Sequence, residues 1–142
     1  MMRTRVPMAL VAIVALVLTA GCASLKSAPA ASHPAEKLTP LGNGLTEVTL
    51  TSEVAQNIGV RTEPVRAKGS VLTVPTSAVI YRPEGTAWVY AEVRPYTYVR
   101  GAVTVADDSG GVAQLTEGPQ AGTLIVVQGV SLIYGTEFKI GK

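Results

Sequence analysis

Apolar residues follow three regimes along the chain. From Val6 to Leu18 they form an almost unbroken run. A run of roughly a dozen residues has the length of a signal-peptide core and is short for a membrane-spanning helix. From Ala23 to Gly44 the pattern lapses into ASLKSAPAASHPAEKLTPLGNG, which is rich in Ala, Ser and Pro and has the composition of a linker. From Leu45 onward most apolar positions alternate with polar ones, the period of strands.

The alternating part divides at turn residues. Leu45 to Leu50 reads as a strand with Val48 and Leu50 on one face. Thr51 or Ser52 then offers a hydroxyl to cap a short helix, in which Val54, Ala55 and Ile58 share a side and which Gly59 ends. Val60 to Val65 is extended, and Pro64 marks an edge or a strand end. Arg66 to Ser70 reads as a plain turn before Val71 to Val74, with Ala78 to Tyr81 following the interruption at Pro75. Arg82-Pro83-Glu84-Gly85 has Pro and Gly where a β-turn wants them. In Thr86 to Val93, the residues Ala87, Val89, Ala91 and Val93 point one way, and Trp88, Tyr90 and Glu92 the other. Tyr96 to Val105 alternates again, and Asp107 to Gly111 is a strong turn in which Asp serves backbone chemistry. Val112 to Leu115 is short, Glu117 to Gly122 is a loop, and Leu124 to Val127 suits a buried strand. Leu132, Ile133, Phe138 and Ile140 close the sequence. About six or seven short strands and at most one short helix predict an all-β fold, a small β-barrel or β-roll. Residues 45–142 suffice for one modest core.

Composition changes the picture mainly at the N-terminal side. Arg3 and Arg5 precede the apolar run, and Leu18-Thr19-Ala20-Gly21-Cys22 follows it. This stretch resembles the lipobox of bacterial lipoproteins. The resemblance implies cleavage before Cys22, diacylglycerol on its thiol and an acyl chain on the new amino group. The competing reading is an ordinary secretory signal followed by a chance cysteine. Cys22 is the only cysteine, so no internal disulfide forms. Acyl chains contributing roughly 0.8 kcal/mol per CH₂ would hold a small domain at a bilayer. The organisation expected is a signal peptide over residues 1–21, a lipidated flexible tether over 22–44 and a β domain over 45–142.

Cleavage also resets the charge. The 12 Lys and Arg face 10 Asp and Glu, and loss of Arg3 and Arg5 leaves 10 against 10. A near-neutral mature chain lacks the electrostatic footprint of a nucleic-acid binder. His33, the only histidine, lies between Ser32 and Pro34 in the tether, with no partner residues for a metal site. No cofactor and no metal are expected. The same shortage of a base beside a nucleophile, and the lack of a glycine-rich phosphate motif, argue against an enzyme. The aromatics Trp88 and Tyr90 on one face, and Tyr96 and Tyr98 on another, are candidates for a partner interface, with cross-strand packing as the plainer reading.

Val71-Leu72-Thr73-Val74-Pro75-Thr76-Ser77-Ala78-Val79-Ile80 resembles the "VPxSAV" strand of periplasmic adaptor proteins (membrane fusion proteins) of resistance-nodulation-division (RND) efflux pumps. Gly85-Thr86-Ala87-Trp88-Val89-Tyr90 is similar to the strand that follows it there, and Arg100 with Val103-Thr104-Val105 to the next. Gly111-Val112 and Gln128-Gly129 fall where the family has "GG-x-V-x-I…GL-x-x-GD-x-VVV-x-G". Val48 to Glu53 and Ile58 to Val65 resemble the segment that opens adaptors of the heavy-metal and related branches. The likeness covers nearly all of Leu45 to Leu132. In a full adaptor these two parts flank a lipoyl domain, a helical hairpin and a β-barrel domain, and meet in the membrane-proximal domain. Here Arg66 to Ser70 stands in place of all of these.

The resemblance implies a membrane-proximal-like β domain on a lipid tether, docking on an RND-type inner-membrane transporter or a full-length adaptor and acting by contact in efflux. The departures are the missing hairpin and tube-forming parts, and Pro119 and Thr123 where the family often has Leu and an acid. The alternative is an envelope lipoprotein that kept the fold as a binding module without a pump role. The expected location is the periplasmic side of the bacterial envelope. Ala23 lacks the retention signal of an Asp and permits the outer membrane, while a pump partner favours the inner one.

Overall fold

The computed structural model describes residues 36–140. The expected lipidation site Cys22, the lipobox residues Leu18, Thr19, Ala20 and Gly21, and the signal peptide lie outside the described residues.

The strands are cut by turns whose backbone favours glycine. Strand β1 (Glu36–Gly42) meets β2 (Leu45–Leu50) through Asn43-Gly44. Both turn residues have positive φ, 52° and 73°, as a type I′ hairpin requires. Thr51 caps helix α1 (Ser52–Asn57) by accepting the Val54 N–H at 3.2 Å on its Oγ1. Then come β3 (Arg61–Pro64), β4 (Arg66–Lys68) and β5 (Val71–Pro75). A single 3-10 turn at Thr76–Ala78 leads to β6 (Ile80–Tyr81). The long strands β7 (Ala87–Arg94) and β8 (Thr97–Ser109) follow, with β9 (Val112–Glu117), β10 (Leu124–Gln128) and helix α2 (Val130–Glu137).

Ten strands form one hydrogen-bonded sheet in the order β3-β10-β7-β8-β9-β5-β4, with β2 added to β8, β1 to β2 and β6 to β7. The two ends of that path, β3 and β4, are consecutive in the chain with only Val65 between them. Val65 donates its N–H to Thr123 O and accepts from Gly122 N–H, each at 2.8 Å. One kinked strand thus pairs with β10 on one side and β5 on the other and nearly closes a small barrel. The all-β fold class expected from alternation is the fold observed.

Two apolar clusters lie on opposite faces of the sheet. Val65, Val74, Val89, Val103, Leu115 and Ile125 come from around the path and fill the barrel. Val48, Leu50, Tyr90, Tyr98 and Val126 form the second cluster on the outer face, covered by Ala55 of α1 and by Val130 and Ile133 of α2. Neighbours Val89 and Tyr90, and Ile125 and Val126, serve one cluster each, so β7 and β10 are buried on both faces.

Three expectations change. The described β structure includes Glu36–Gly42, inside the segment assigned to the tether, because the Asn43-Gly44 turn folds residues 36–42 back onto β2. Arg66 to Ser70 is mostly strand, and only Gly69-Ser70 turns, with Gly69 at φ 65°. The helix was expected only after Thr51, and Val130–Glu137, read as no more than scattered apolar positions, is helical as well. Gly129 starts it at φ 84°, and Lys139 ends it in the left-handed region at 53°. Ile140 N–H donates to Gly135 O and Lys139 N–H to Thr136 O, the two bonds of a Schellman cap.

Candidate docking surface

The β7–β8 turn builds one end of the barrel. Arg94 pairs with Thr97, so Pro95 and Tyr96 are the turn residues. Pro95 in second place and a positive φ of 58° at Tyr96 match a type II turn, which favours Gly or Asn at that third position. Tyr96 is therefore strained, by roughly 1 to 2 kcal/mol for a side chain with a Cβ in the left-handed region. Its N–H is held by Glu92 Oε1 at 3.0 Å. The ring is 37 % exposed and borders a shallow depression that Glu92, Val93, Arg94, Pro95 and Leu124 also line. Val93 is 49 % exposed and Leu124 42 %.

The carboxylates here are engaged. Glu92 holds the turn, and Glu47 on β2 pairs with Arg94 at 2.7 Å. An exposed strained tyrosine among aliphatic groups is equipped for contact.

The other aromatics proposed as interface lie elsewhere. Tyr90 is 0 % exposed and Tyr98 1 %, so both are core residues. Burial, helped by Glu92 and Tyr96, pushes the Tyr98 phenol up to about 12. Trp88 is half-buried, with the Arg100 guanidinium 4.3 Å above its ring. Trp88 and Tyr90 share a face with Tyr98, since Glu92 pairs with Tyr98 and Tyr90 with Arg100. Of the four candidates, only Tyr96 belongs to an exposed surface feature.

Two polar clusters were not foreseen. On the outer face, buried Arg100 donates from Nε to Glu137 Oε1 at 3.3 Å and from an Nη to Gly44 O at 2.9 Å. Tyr90 donates its hydroxyl to the other Glu137 oxygen at 2.5 Å. Burial first, and then that carboxylate, raise the Tyr90 phenol far above its ordinary value. The cluster pins the end of α2 to β7, β8 and the β1–β2 turn. At the far end of β8, Asp108 accepts from Thr76 Oγ1 at 2.5 Å and from the Tyr81 hydroxyl at 2.6 Å. The Asp107-Asp108 pair lies within β8, and the turn proper is Gly110-Gly111, both at positive φ. Asp108 thus serves a side-chain latch instead of the backbone turn. Its hydrogen bonds hold it below the usual carboxylate value.

Among the described residues, no group of three or more His, Cys, Asp or Glu side chains is placed to hold a metal ion. No helix among them is long and apolar enough to cross a membrane. No protein-family model matches the chain, and neither a curated protein nor a solved structure matches it.

Proposed function

We propose that this chain is a lipid-anchored periplasmic docking module that contributes to efflux by contact with an RND-type transporter, alone or beside a full-length adaptor. The supporting observation is the closure at Val65. The two segments that resemble distant parts of an adaptor lie here as β2 to β3 and from β5 onward, and the joint between them is β4, which follows β3 after Val65 and, with only Gly69-Ser70 turning, pairs with β5. Strands already paired need no more than such a turn, because closing a short loop costs little entropy. The module would be held at the periplasmic face by the acyl chains of Cys22.

The test is in-cell crosslinking of the tagged full chain, capture from solubilised membranes and mass spectrometry. Recovery of an RND transporter or a full-length adaptor is the expected result. A capture holding only cell-wall or unrelated envelope proteins would replace this reading with a binding lipoprotein that has no pump role.

A further inference from the structure

We infer that α2 is a displaceable cover, and that the groove beneath it takes a helix of a partner protein carrying a carboxylate in the place of Glu137. The inference depends neither on the lipid anchor nor on a transporter.

The groove reads an acid at one fixed place. Helix α2 enters it with three buried residues, Val130, Ile133 and Glu137, which share one side of the helix. Val130 and Ile133 join the apolar cluster of Val48, Leu50, Tyr90, Tyr98 and Val126. Glu137 accepts from Arg100 Nε on one oxygen and from the Tyr90 hydroxyl on the other. The side chains of the ion pair are 4 % and 2 % exposed. The Arg100 guanidinium lies over the Trp88 ring, and its bond to Gly44 O leaves Nε for a carboxylate. These donors belong to β7 and β8, so they stay in place when α2 leaves. A buried guanidinium left unpaired is costly, and an occupant must therefore bring an acid. A helix with apolar residues seven and four positions before that acid repeats the contacts of α2.

The hold on α2 is weaker than the fold would allow. Gly135 lies inside the helix and is not among the glycines with positive φ. A Cβ added there makes only an ordinary contact, 4.0 Å from Ile140 O. Neither conformation nor space asks for glycine at this position, and glycine weakens a helix relative to alanine. A helix of about two turns also has little stability of its own. Gly129, at φ 84°, gives the chain a joint where α2 begins. The interior cluster lies on the other face of the sheet and includes no residue of α2, so the barrel can stay closed while the helix moves off. A partner helix of higher intrinsic helicity that makes the same three contacts would replace it.

The probe is a labelled peptide of residues 129–140, held helical by a hydrocarbon bridge between positions 132 and 136, and added to the full chain. Saturable binding by fluorescence anisotropy is expected. The dissociation constant scales inversely with the fraction of chains in which α2 is open. Gly129→Ala in the chain should therefore tighten binding about 5- to 30-fold, and Gly135→Ala should weaken it about fivefold. Glu137→Gln in the peptide should weaken it about tenfold or more. At saturation the α2 amides of the chain should lose exchange protection while β7 and β10 keep theirs. Binding that leaves α2 protected, or that is indifferent to the acid, would overturn the inference. So would a lack of saturable binding to both the parent chain and a Gly129→Ala chain whose barrel strands remain protected. If Gly129→Ala does not fold, Gly135→Ala decides alone, and an unchanged affinity there overturns the displacement.

Discussion

Tyr96 occupies a position for which the backbone would choose another residue. At φ 58° in the third place of a type II turn, Asn or Gly would relax the chain. Tyr96→Asn is expected to stabilise the fold by about 1 kcal/mol, read from urea unfolding. Loss of stability in that variant would mean the ring contributes packing that outweighs the strain. Arg100 and Glu137 present the opposite case, a buried pair that suits its surroundings. Glu137→Ala leaves a guanidinium unpaired in the outer cluster and should cost about 3 to 5 kcal/mol. Replacing both, Arg100→Met with Glu137→Leu, should cost clearly less than the single change, since no buried charge then stands alone. The Asp108 latch titrates at both ends of the pH scale. The carboxylate's value is lowered on folding, so its contribution is present above the ordinary carboxylate range and lost as pH falls through the folded value. Partial burial, then the hydrogen bond and charge of Asp108, push Tyr81 from 10.0 up to about 12, although its ring is largely exposed. That contribution is complete below pH 10 and is lost as pH rises toward 12. Stability curves should therefore fall less steeply in acid for Asp108→Asn, and less steeply in alkali for Tyr81→Phe, than for the parent chain.

At the scale of elements, periodicity was a good guide wherever a strand buries one face or lies between two apolar layers. Apart from β4, which read as a turn, the strands from β2 to β10 fall close to where alternation puts them, and Thr51 caps α1 as its hydroxyl suggested. The Asn43-Gly44 dipeptide was also in view, but the Ala-Ser-Pro texture before it hid a hairpin that this signal alone could have revealed. Helix α2 was hidden for a different reason. Its buried face is Val130, Ile133 and Glu137, a helical spacing that ends on a carboxylate. That face reads as apolar only once Arg100, thirty-seven residues away, neutralises the acid. β-Branched residues and Gly135 also give the segment low intrinsic helicity. The candidate surface was legible only in its aromatic content. Sequence alternation cannot tell that a turn would place Tyr96 outside while Tyr98 goes under α1. What commits the segment to α2 is its start. Gly129 lies at φ 84°, and an added Cβ would meet Val60 Cγ2 at 3.2 Å. Gly129→Ala should therefore destabilise by about 1 to 2 kcal/mol, with α2 giving up amide-exchange protection before the barrel strands do. Simultaneous exchange throughout would show that α2 and the barrel unfold as one unit.

For the whole molecule, the barrel is closed by a strand that changes partners, and this makes neighbouring positions unequal. At Gly69-Ser70 the chain only turns between β4 and β5, and Gly69 has open space around it. Lengthening this turn by about ten Gly and Ser residues adds loop entropy of about 1 to 2 kcal/mol and disturbs no buried group. Between Val65 and Arg66 the same insertion separates the residue bonded to Thr123 and Gly122 from the strand bonded to β5. It would detach Val65, a buried member of the interior cluster, from the closure it makes. The first insertion should leave a cooperative unfolding transition slightly shifted in urea, and the second should abolish it or broaden it. If both are tolerated alike, β3 and β4 act independently and the barrel does not depend on closing at Val65. If only the first is tolerated, the turn at Gly69-Ser70 is a site at which a closed barrel of this type accommodates added sequence, the relationship that the likeness to adaptors implies.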